Sequence, residues 1–205
     1  MGSHQQYSEV TKIAASGYRW RMVATATPMR WLLVWMLVQL LLVPSIANGP
    51  TGDEGIYAWL GMRVWREWPQ VDGGDWVNGS PLGWPPIAGV LWWGGGVWLL
   101  RWGAAALVTG ALWLVLRATE RLHGESAGTA TALVLLTSGP LFAVAHLGVY
   151  DVPALVALAV AIAAMARRST GGSSRWLVLT GVAAGAAPAG GCRMAPHAAM
   201  VAVLA

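Results

Sequence analysis

Long apolar runs alternate with short polar breaks along this chain. The first run, from Trp31 to Ala47, has 17 residues without a charge. A helix needs about 20 mainly apolar residues to cross a bilayer, with a range that includes runs of this length. Five runs are predicted as membrane spans, the last only in part: 31–47, 99–116, 127–145, 152–166 and 176–205. The pattern therefore predicts an all-α fold, a polytopic transmembrane helix bundle.

The largest polar segment, residues 48–98, separates the first two predicted spans and is expected to carry amphipathic interfacial helices. Its first helix is predicted over 53–68, where apolar residues recur at every fourth position: Ile56, Leu60, Val64 and Trp68. The stretch 71–86 is rich in Gly, Pro and Asn and is predicted as a loop. The apolar piece 87–93 is too short to span and precedes a Gly94–Gly96 break, so it is predicted as a second interfacial helix.

Basic residues flank the predicted spans. They precede the first span and follow the second and fourth: Arg30, Arg117, Arg121, Arg167 and Arg168. The positive-inside rule places these ends in the cytoplasm. Residues 1–30 are then a cytoplasmic amino-terminal segment, residues 31–205 a transmembrane module, and 48–98 an outer loop.

Composition supports this membrane prediction and excludes other classes. Hydrophobic residues make up 56% of the chain and charged residues 11%, less than half of the charged share that is usual in soluble domains. The net charge of +4 is not gathered into one patch, so no nucleic-acid partner is expected. A single cysteine, Cys192, excludes an internal disulfide framework. No metal-ligand spacing is found, and membrane lipids are the expected surroundings.

Acidic residues are few, and three of them stand where predicted helices begin in the outer compartment. Asp53 and Glu54 open the first interfacial helix, and Asp151 precedes Pro153 at the start of the fourth span. Each aspartate could be a helix N-cap. Each could also serve chemistry, since an ionisable residue at the edge of the hydrocarbon is a functional candidate. The two roles are compatible, because a cap fixes the position of a carboxylate.

The order of these features resembles that of the polyprenyl-phosphate-dependent membrane glycosyltransferases with a C-type fold. Protein O-mannosyltransferases and the lipid A aminoarabinose transferases belong to this group. The resemblance covers about residues 30–168. The motifs that carry it, in chain order, are Asp53-Glu54 with Tyr57, Gly74-Asp75-Trp76, Pro86-Ile87-Ala88-Gly89, and Asp151 with Pro153.

The resemblance implies transfer of a sugar from a polyprenyl-phosphate-linked donor on the outer face of the membrane. The acceptor would be a lipid, a glycan or a protein. In that family the acid of the first outer loop is catalytic, which maps onto Asp53, with Glu54, Tyr57 and Asp151 as supporting or substrate-binding residues. A carboxylate can accept the proton of an attacking hydroxyl. By composition and resemblance the expected location is a bacterial plasma membrane, with the amino terminus in the cytoplasm.

This sequence departs from the family pattern in two ways. Enzymes of the aminoarabinose branch commonly place a lysine before the Pro-Ile-Ala-Gly motif, but here Gly83-Trp84-Pro85-Pro86 contains no cation. The hypothesis is that Arg63, Arg101 or Arg193 meets the donor phosphate instead. Family members also have more spans, so the chain is expected to be an amino-terminal part that could be inactive alone. No cofactor is predicted, and a divalent-cation requirement is left open.

The alternative hypothesis is a non-enzymatic membrane protein, either a transporter piece or an assembly partner, that shares only the helix bundle. Transporters place ionisable residues near mid-membrane and often contain inverted repeats. Here the acids stand at the predicted outer edge, and the first spans are not repeated in the later ones. A peptidase within the membrane would need metal-binding or paired aspartate motifs that this sequence lacks. The placement of the acids favours the enzyme.

Overall fold

A computed structural model describes residues 26–46, 48–67, 83–149, 151–173, 175–176 and 178–182, with side chains from Met29 onward. Every regular element within these ranges is helical. In chain order the main elements are α1 (Ala26–Leu42), a 3-10 turn (Val43–Ser45), α2 (Gly52–Glu67), α3 (Trp84–His123), α4 (Glu125–Leu136), α5 (Gly139–His146) and α6 (Asp151–Ser169). Residues 175–176 and 178–182 are also helical. The predicted all-α class is confirmed for this part of the chain.

Several predictions concern residues that lie outside the described ranges. These are the amino-terminal segment before Ala26, most of the predicted loop with its Gly74-Asp75-Trp76 motif, and the greater part of the fifth span with Arg193.

Two helices, α3 and α6, are long and apolar enough to cross a membrane by length and composition. The pair α4 and α5 adds a third candidate if it is counted as one span, although its two helices are bent by 65°. A shorter apolar helix covers Met29–Ser45, within α1 and its following turn. The described residues therefore contain two to three candidate spans, which indicates an association with the membrane.

The third predicted span, 127–145, is divided between two helices, α4 and α5. α4 ends at Leu136, Ser138 is extended (ψ 112°), and α5 begins at Gly139. The cause is Pro140, which has no N–H to donate and whose ring collides with the carbonyl four residues earlier, in Leu136. A helix can begin with a proline in its first turn, as α5 does, but a proline in the helix interior kinks or breaks it.

The predicted loop over 71–86 extends too far, because α3 already begins at Trp84. Pro85 and Pro86 occupy its first turn, where a proline has no helical hydrogen bond to lose. The predicted break between the second interfacial helix and the second span is confirmed, since Gly95 and Gly96 have non-helical dihedrals within α3. Gly96 has φ 63°, a left-handed conformation that glycine adopts without a steric cost.

α2 packs closely against the first turns of α3. Its predicted apolar face is confirmed in part, with Leu60 and Val64 buried. Between them lies Gly61, where an added Cβ would overlap the carbonyl oxygen of Pro85 and lie 2.7 Å from the nitrogen of Gly89. Two glycines facing each other let the helix backbones touch. This contact fixes the crossing point of α2 and α3.

The second part of α3 forms the centre of the core. Its inward side chains follow a four-residue spacing and are at most 3% exposed: Leu100, Ala104, Val108, Leu112 and Leu116. They pack with α1, α4 and α5 in one apolar cluster. Large apolar side chains also face outward, and Trp93 is 74% exposed. An apolar exterior of this kind is what a lipid environment accommodates and what water disfavours.

Candidate active site at the first turn of α2

The first turn of α2 is fixed by a reciprocal pair of hydrogen bonds. The backbone N–H of Glu54 donates to Thr51 Oγ1 over 3.3 Å, and the backbone N–H of Thr51 donates to Glu54 Oε2 over 2.8 Å. This is a capping box, in which two N–H groups without helical partners are satisfied together. The helix cap is therefore Thr51, and the expectation that Asp53 caps the helix is wrong.

Glu54 forms a fully buried, two-point ion pair with Arg101 of α3. Arg101 Nε lies 2.9 Å from Glu54 Oε1, and Arg101 Nη2 lies 2.9 Å from Glu54 Oε2. Both side chains are 0% exposed. A bidentate pair between guanidinium and carboxylate fixes orientation as well as distance. The start of α2 is thus held against α3 at one defined register.

The same guanidinium also holds the chain that leads into α2. Arg101 Nη2 donates to the carbonyl of Gly49 over 3.2 Å, and Nη1 lies 3.4 Å from the carbonyls of Ile46 and Asn48. Burying a charge is costly unless it is paired and hydrogen-bonded, and here both conditions are met. Arg101 therefore orders the connection between the turn after α1 and the start of α2.

A second segment, the residues between α5 and α6, also joins this centre. The N–H of Gly148 donates to Glu54 Oε1 over 3.1 Å, and the indole N–H of the buried Trp84 donates to the Gly148 carbonyl over 2.7 Å. A Cβ at Gly148 would lie 2.6 Å from Leu100 Cγ, so the backbone approaches α3 closely. Glu54 thereby links α2, α3 and the approach to α6.

The Glu54 carboxyl is held in its charged form. Burial by itself would raise its pKa, but hydrogen bonds from Arg101, Thr51 and Gly148, with the positive charge of Arg101, lower the pKa below its ordinary value. Glu54 is therefore an anion that accepts hydrogen bonds, and it is not poised to take up a proton.

Asp53 differs from its neighbour in exposure. It occupies the second position of α2, and its side chain is exposed to solvent. Asp151 is likewise exposed, at the first position of α6. Because Gly148 contacts Glu54, the start of α6 lies at the same end of the helices as Asp53. The structure thus places both predicted aspartates at one end, each on the first turn of a helix.

The other predicted site residues are placed as follows. Tyr57 lies one turn after Asp53, half-buried against the core. Arg63 is partly exposed, donates to Glu67 at 2.6 Å and stacks over the ring of Trp59. Arg101 is committed to Glu54, so a role in phosphate binding would require it to leave that pair. Arg193 lies outside the described residues.

The candidate metal ligands in the part of the chain that the structure describes are not clustered. Within those ranges no group of three or more His, Cys, Asp or Glu side chains is arranged to hold a metal ion. The requirement for a divalent cation, which the sequence analysis left open, is therefore still open.

The buried ion pair was not predicted from the sequence, although one of its signals was present. Thr51-Gly52-Asp53-Glu54 matches the Thr-x-x-Glu capping signature, which assigns the cap to Thr51 and turns Glu54 inward. The partner was harder to find, because Arg101 is 47 residues away from Glu54. A lone arginine inside an otherwise apolar span is the only local sign that it has a buried partner.

No family model, curated protein or solved structure matches the chain. The resemblance to membrane glycosyltransferases accordingly rests on the residues quoted for it.

Proposed function

We propose that this chain forms all or part of a polytopic membrane glycosyltransferase. It would move a sugar from a polyprenyl-phosphate donor to an acceptor at the outer face of the membrane, with Asp53 as the catalytic base. The observation that carries the proposal is the pairing of an exposed carboxylate with a rigid support. Asp53 is exposed, whereas the adjacent Glu54 is fully buried and held by Arg101, Thr51 and Gly148.

This support suits a general base. Proton transfer requires the base to lie within hydrogen-bond reach of the attacking hydroxyl, and a displacement of about 1 Å can lower the rate on the order of 100-fold. In the proposed mechanism, Asp53 accepts the proton of the acceptor hydroxyl as its oxygen attacks the anomeric carbon. The bond from that carbon to the lipid phosphate breaks, and the phosphate leaves with the electron pair.

The leaving phosphate calls for a cation nearby. The charge of Arg101 is balanced by Glu54, and Arg63 lies ten residues beyond Asp53, roughly 15 Å along the helix axis by its rise per residue. In the proposal Arg101 is therefore a positioning residue. Arg63 and Arg193 remain the candidates for contact with the donor phosphate.

The proposed membrane arrangement has five spans, with the amino terminus in the cytoplasm and α2 lying at the outer interface. This arrangement is supported by the length of α3 between the charged residues near its two ends. From Arg101 to the charged group that begins at Arg117 and ends at Arg121 there are 16 to 20 residues, roughly 24–30 Å of helix, close to the thickness of the hydrocarbon core. Arg101 would then lie at the outer surface and Arg121 at the cytoplasmic surface.

The test is sugar transfer by membranes that contain the full-length protein, with polyprenyl-phosphate sugars as donors. Wild type is compared with Asp53→Asn, and the matched control is Glu125→Gln, which neutralises an acid on the first turn of α4, away from the candidate site. Removing a general base typically lowers the rate 100- to 10,000-fold, so Asp53→Asn should lose about that much activity at equal protein abundance. Glu125→Gln should keep wild-type activity.

Two outcomes would contradict the proposal. If Asp53→Asn transfers sugar as fast as wild type, Asp53 is not the base. If the wild-type protein transfers none of the donors, the non-enzymatic alternative, a transporter piece or an assembly partner, becomes the better interpretation.

A further inference from the structure

A cleft of about 510 Å³ opens between the carboxyl-terminal ends of α3 and α6, away from the candidate active site. Its apolar wall includes Trp113, Leu114 and Ala163. Its charged side chains include three arginines, Arg117, Arg121 and Arg167. One cleft thus combines an apolar wall with a cluster of guanidinium groups.

These positive charges are only partly balanced. Arg117 Nη1 lies 2.9 Å from Glu120 Oε2, and Glu120 is the single acid that lines the cleft. Arg121 is exposed, and the Arg167 guanidinium lies 4.5 Å from the ring centre of Trp176. Three cations against one anion leave the cleft with a net charge of +2. Such a site is complementary to an anion.

The height of the cleft along α3, and so its depth in a membrane, indicates which kind of anion it would bind. Arg121 lies roughly 30 Å along α3 from Arg101, so in a bilayer that α3 crosses the two arginines would stand at opposite surfaces. At that level the cleft borders the phosphates of one leaflet. Basic pockets between transmembrane helices are known to hold the head groups of anionic lipids. The apolar wall then faces the upper part of the acyl chains.

We propose that this cleft binds an anionic phospholipid, whose phosphate is held by Arg121 and Arg167. The apolar wall distinguishes a lipid from a soluble anion, because a free phosphate has nothing to place against Trp113 and Leu114. Glu120 competes with the phosphate for Arg117, which limits the affinity of the site. The binding is independent of the proposed sugar transfer, since the cleft lies at the other end of α3.

The experiment titrates the purified full-length protein in detergent with phosphatidylglycerol or phosphatidylcholine, and counts bound lipids by native mass spectrometry. The test variant is the double Arg121→Gln/Arg167→Gln. The matched control, Arg30→Gln/Arg66→Gln, removes two exposed arginines that do not line the cleft. Each arginine near a lipid phosphate contributes about 1 kcal/mol, so the test variant should bind phosphatidylglycerol roughly 30-fold more weakly. The control should bind it as wild type does.

A second variant tests the proposal in the opposite direction. Glu120→Gln removes the carboxylate that pairs with Arg117, so phosphatidylglycerol should bind roughly fivefold more tightly. A gain in affinity cannot result from misfolding. Unchanged or weaker binding of phosphatidylglycerol to Glu120→Gln would contradict the assignment of the cleft.

Three further results would overturn the proposal. The control double variant could lose as much affinity as the test variant, which would mean that general surface charge attracts the lipid. Phosphatidylcholine could bind wild type as tightly as phosphatidylglycerol does, which would mean that the head-group charge is not recognised. Inorganic phosphate could displace phosphatidylglycerol at equal concentration, which would identify the ligand as a soluble anion.

Discussion

Arg101 and Arg121 lie on the same helix, 20 residues apart, in opposite environments. Arg101 is fully buried, and its guanidinium contacts both oxygens of Glu54 and the carbonyls of the segment before α2. Arg121 is exposed at the mouth of a cleft that has more cations than anions. Both residues are arginines. They differ because a buried carboxylate, that of Glu54, lies close enough to Arg101 to pair with its guanidinium.

This comparison indicates how one residue type serves two purposes. A cation whose charge and donors are satisfied inside the protein stabilises a fold, because removing either partner leaves a buried charge alone. A cation that stays unbalanced at an interface contributes little to stability and is available to a ligand. Arg101 therefore stabilises the fold, whereas in the proposal above Arg121 is available to a ligand.

The largest effect is expected when the buried pair is broken. Arg101→Met should lower the free energy of unfolding by about 3–5 kcal/mol, because Glu54 then keeps a buried charge without a partner. The measurement is equilibrium unfolding in detergent micelles, followed by circular dichroism. A loss below about 1 kcal/mol, a value typical of exposed pairs, would mean that Glu54 and Arg101 do not form a buried pair in the membrane protein.

The double variant Glu54→Gln/Arg101→Met provides the control for that loss. Glutamine keeps an oxygen that can accept from Thr51 and Gly148, but it carries no charge. The double variant should be more stable than Arg101→Met alone, because the uncompensated carboxylate has been removed. Equal stabilities would indicate that lost packing, and not the lone charge, causes the destabilisation.

The second prediction concerns acid sensitivity at the same pair. The pKa of Glu54 is lowered in the folded protein, so the unfolded chain binds more protons as the pH falls below the ordinary value of 4.5. The stabilisation by Glu54 is present above that value and is lost as the pH falls through the lowered pKa. The temperature of thermal unfolding, measured from pH 7 to pH 3, should therefore fall more steeply in wild type than in Glu54→Gln. Parallel curves for the two proteins would contradict the lowered pKa.

The third prediction tests the other fixed contact near the site, the backbone approach of α2 to α3. Gly61→Ala should lower the free energy of unfolding by about 1–3 kcal/mol, because the added methyl group overlaps Pro85 and forces the helices apart. Gly55→Ala is the matched control, since nothing lies within 4 Å of its added Cβ. The control should gain up to about 1 kcal/mol from better helix propensity. Similar results for the two variants would show that α2 and α3 do not touch at Gly61.

Much of the fold follows from local patterns in the sequence. The four-residue apolar spacing in 53–68 predicts α2, and the charge-free run ending at Arg167 predicts α6, because both signals lie within single helices. The bend at Pro140 could also have been predicted, since a proline in a helix interior kinks or breaks the helix. The apolar composition of 127–145 concealed it, because hydropathy averages over the residues that interrupt a helix.

The candidate site shows which contacts cannot be predicted from local sequence patterns. The position of Asp53 on the first turn of α2 was predictable within one residue, and its exposure is compatible with either a base or a surface charge. The contact of Glu54 with Arg101 and Gly148 joins segments 47 and 94 residues apart. No periodicity encodes such a pairing, since many arginines in the chain could have satisfied one buried carboxylate. The support beneath Asp53 is therefore a property of the fold.

The smallest effect is expected at the opposite end of α3, and it completes the comparison. Arg121→Met removes the same group as Arg101→Met, but from an exposed position that forms no ion pair within the described ranges. The free energy of unfolding should therefore change by less than about 0.5 kcal/mol. The same unfolding measurement in pure detergent checks it. Adding phosphatidylglycerol should then stabilise wild type more than Arg121→Met, because a ligand that binds only the folded state raises stability according to its affinity. Arg121→Met could instead lower the free energy of unfolding in lipid-free detergent as much as Arg101→Met does. Arg121 would then be a structural residue, and the proposed difference in role between the two arginines would be wrong.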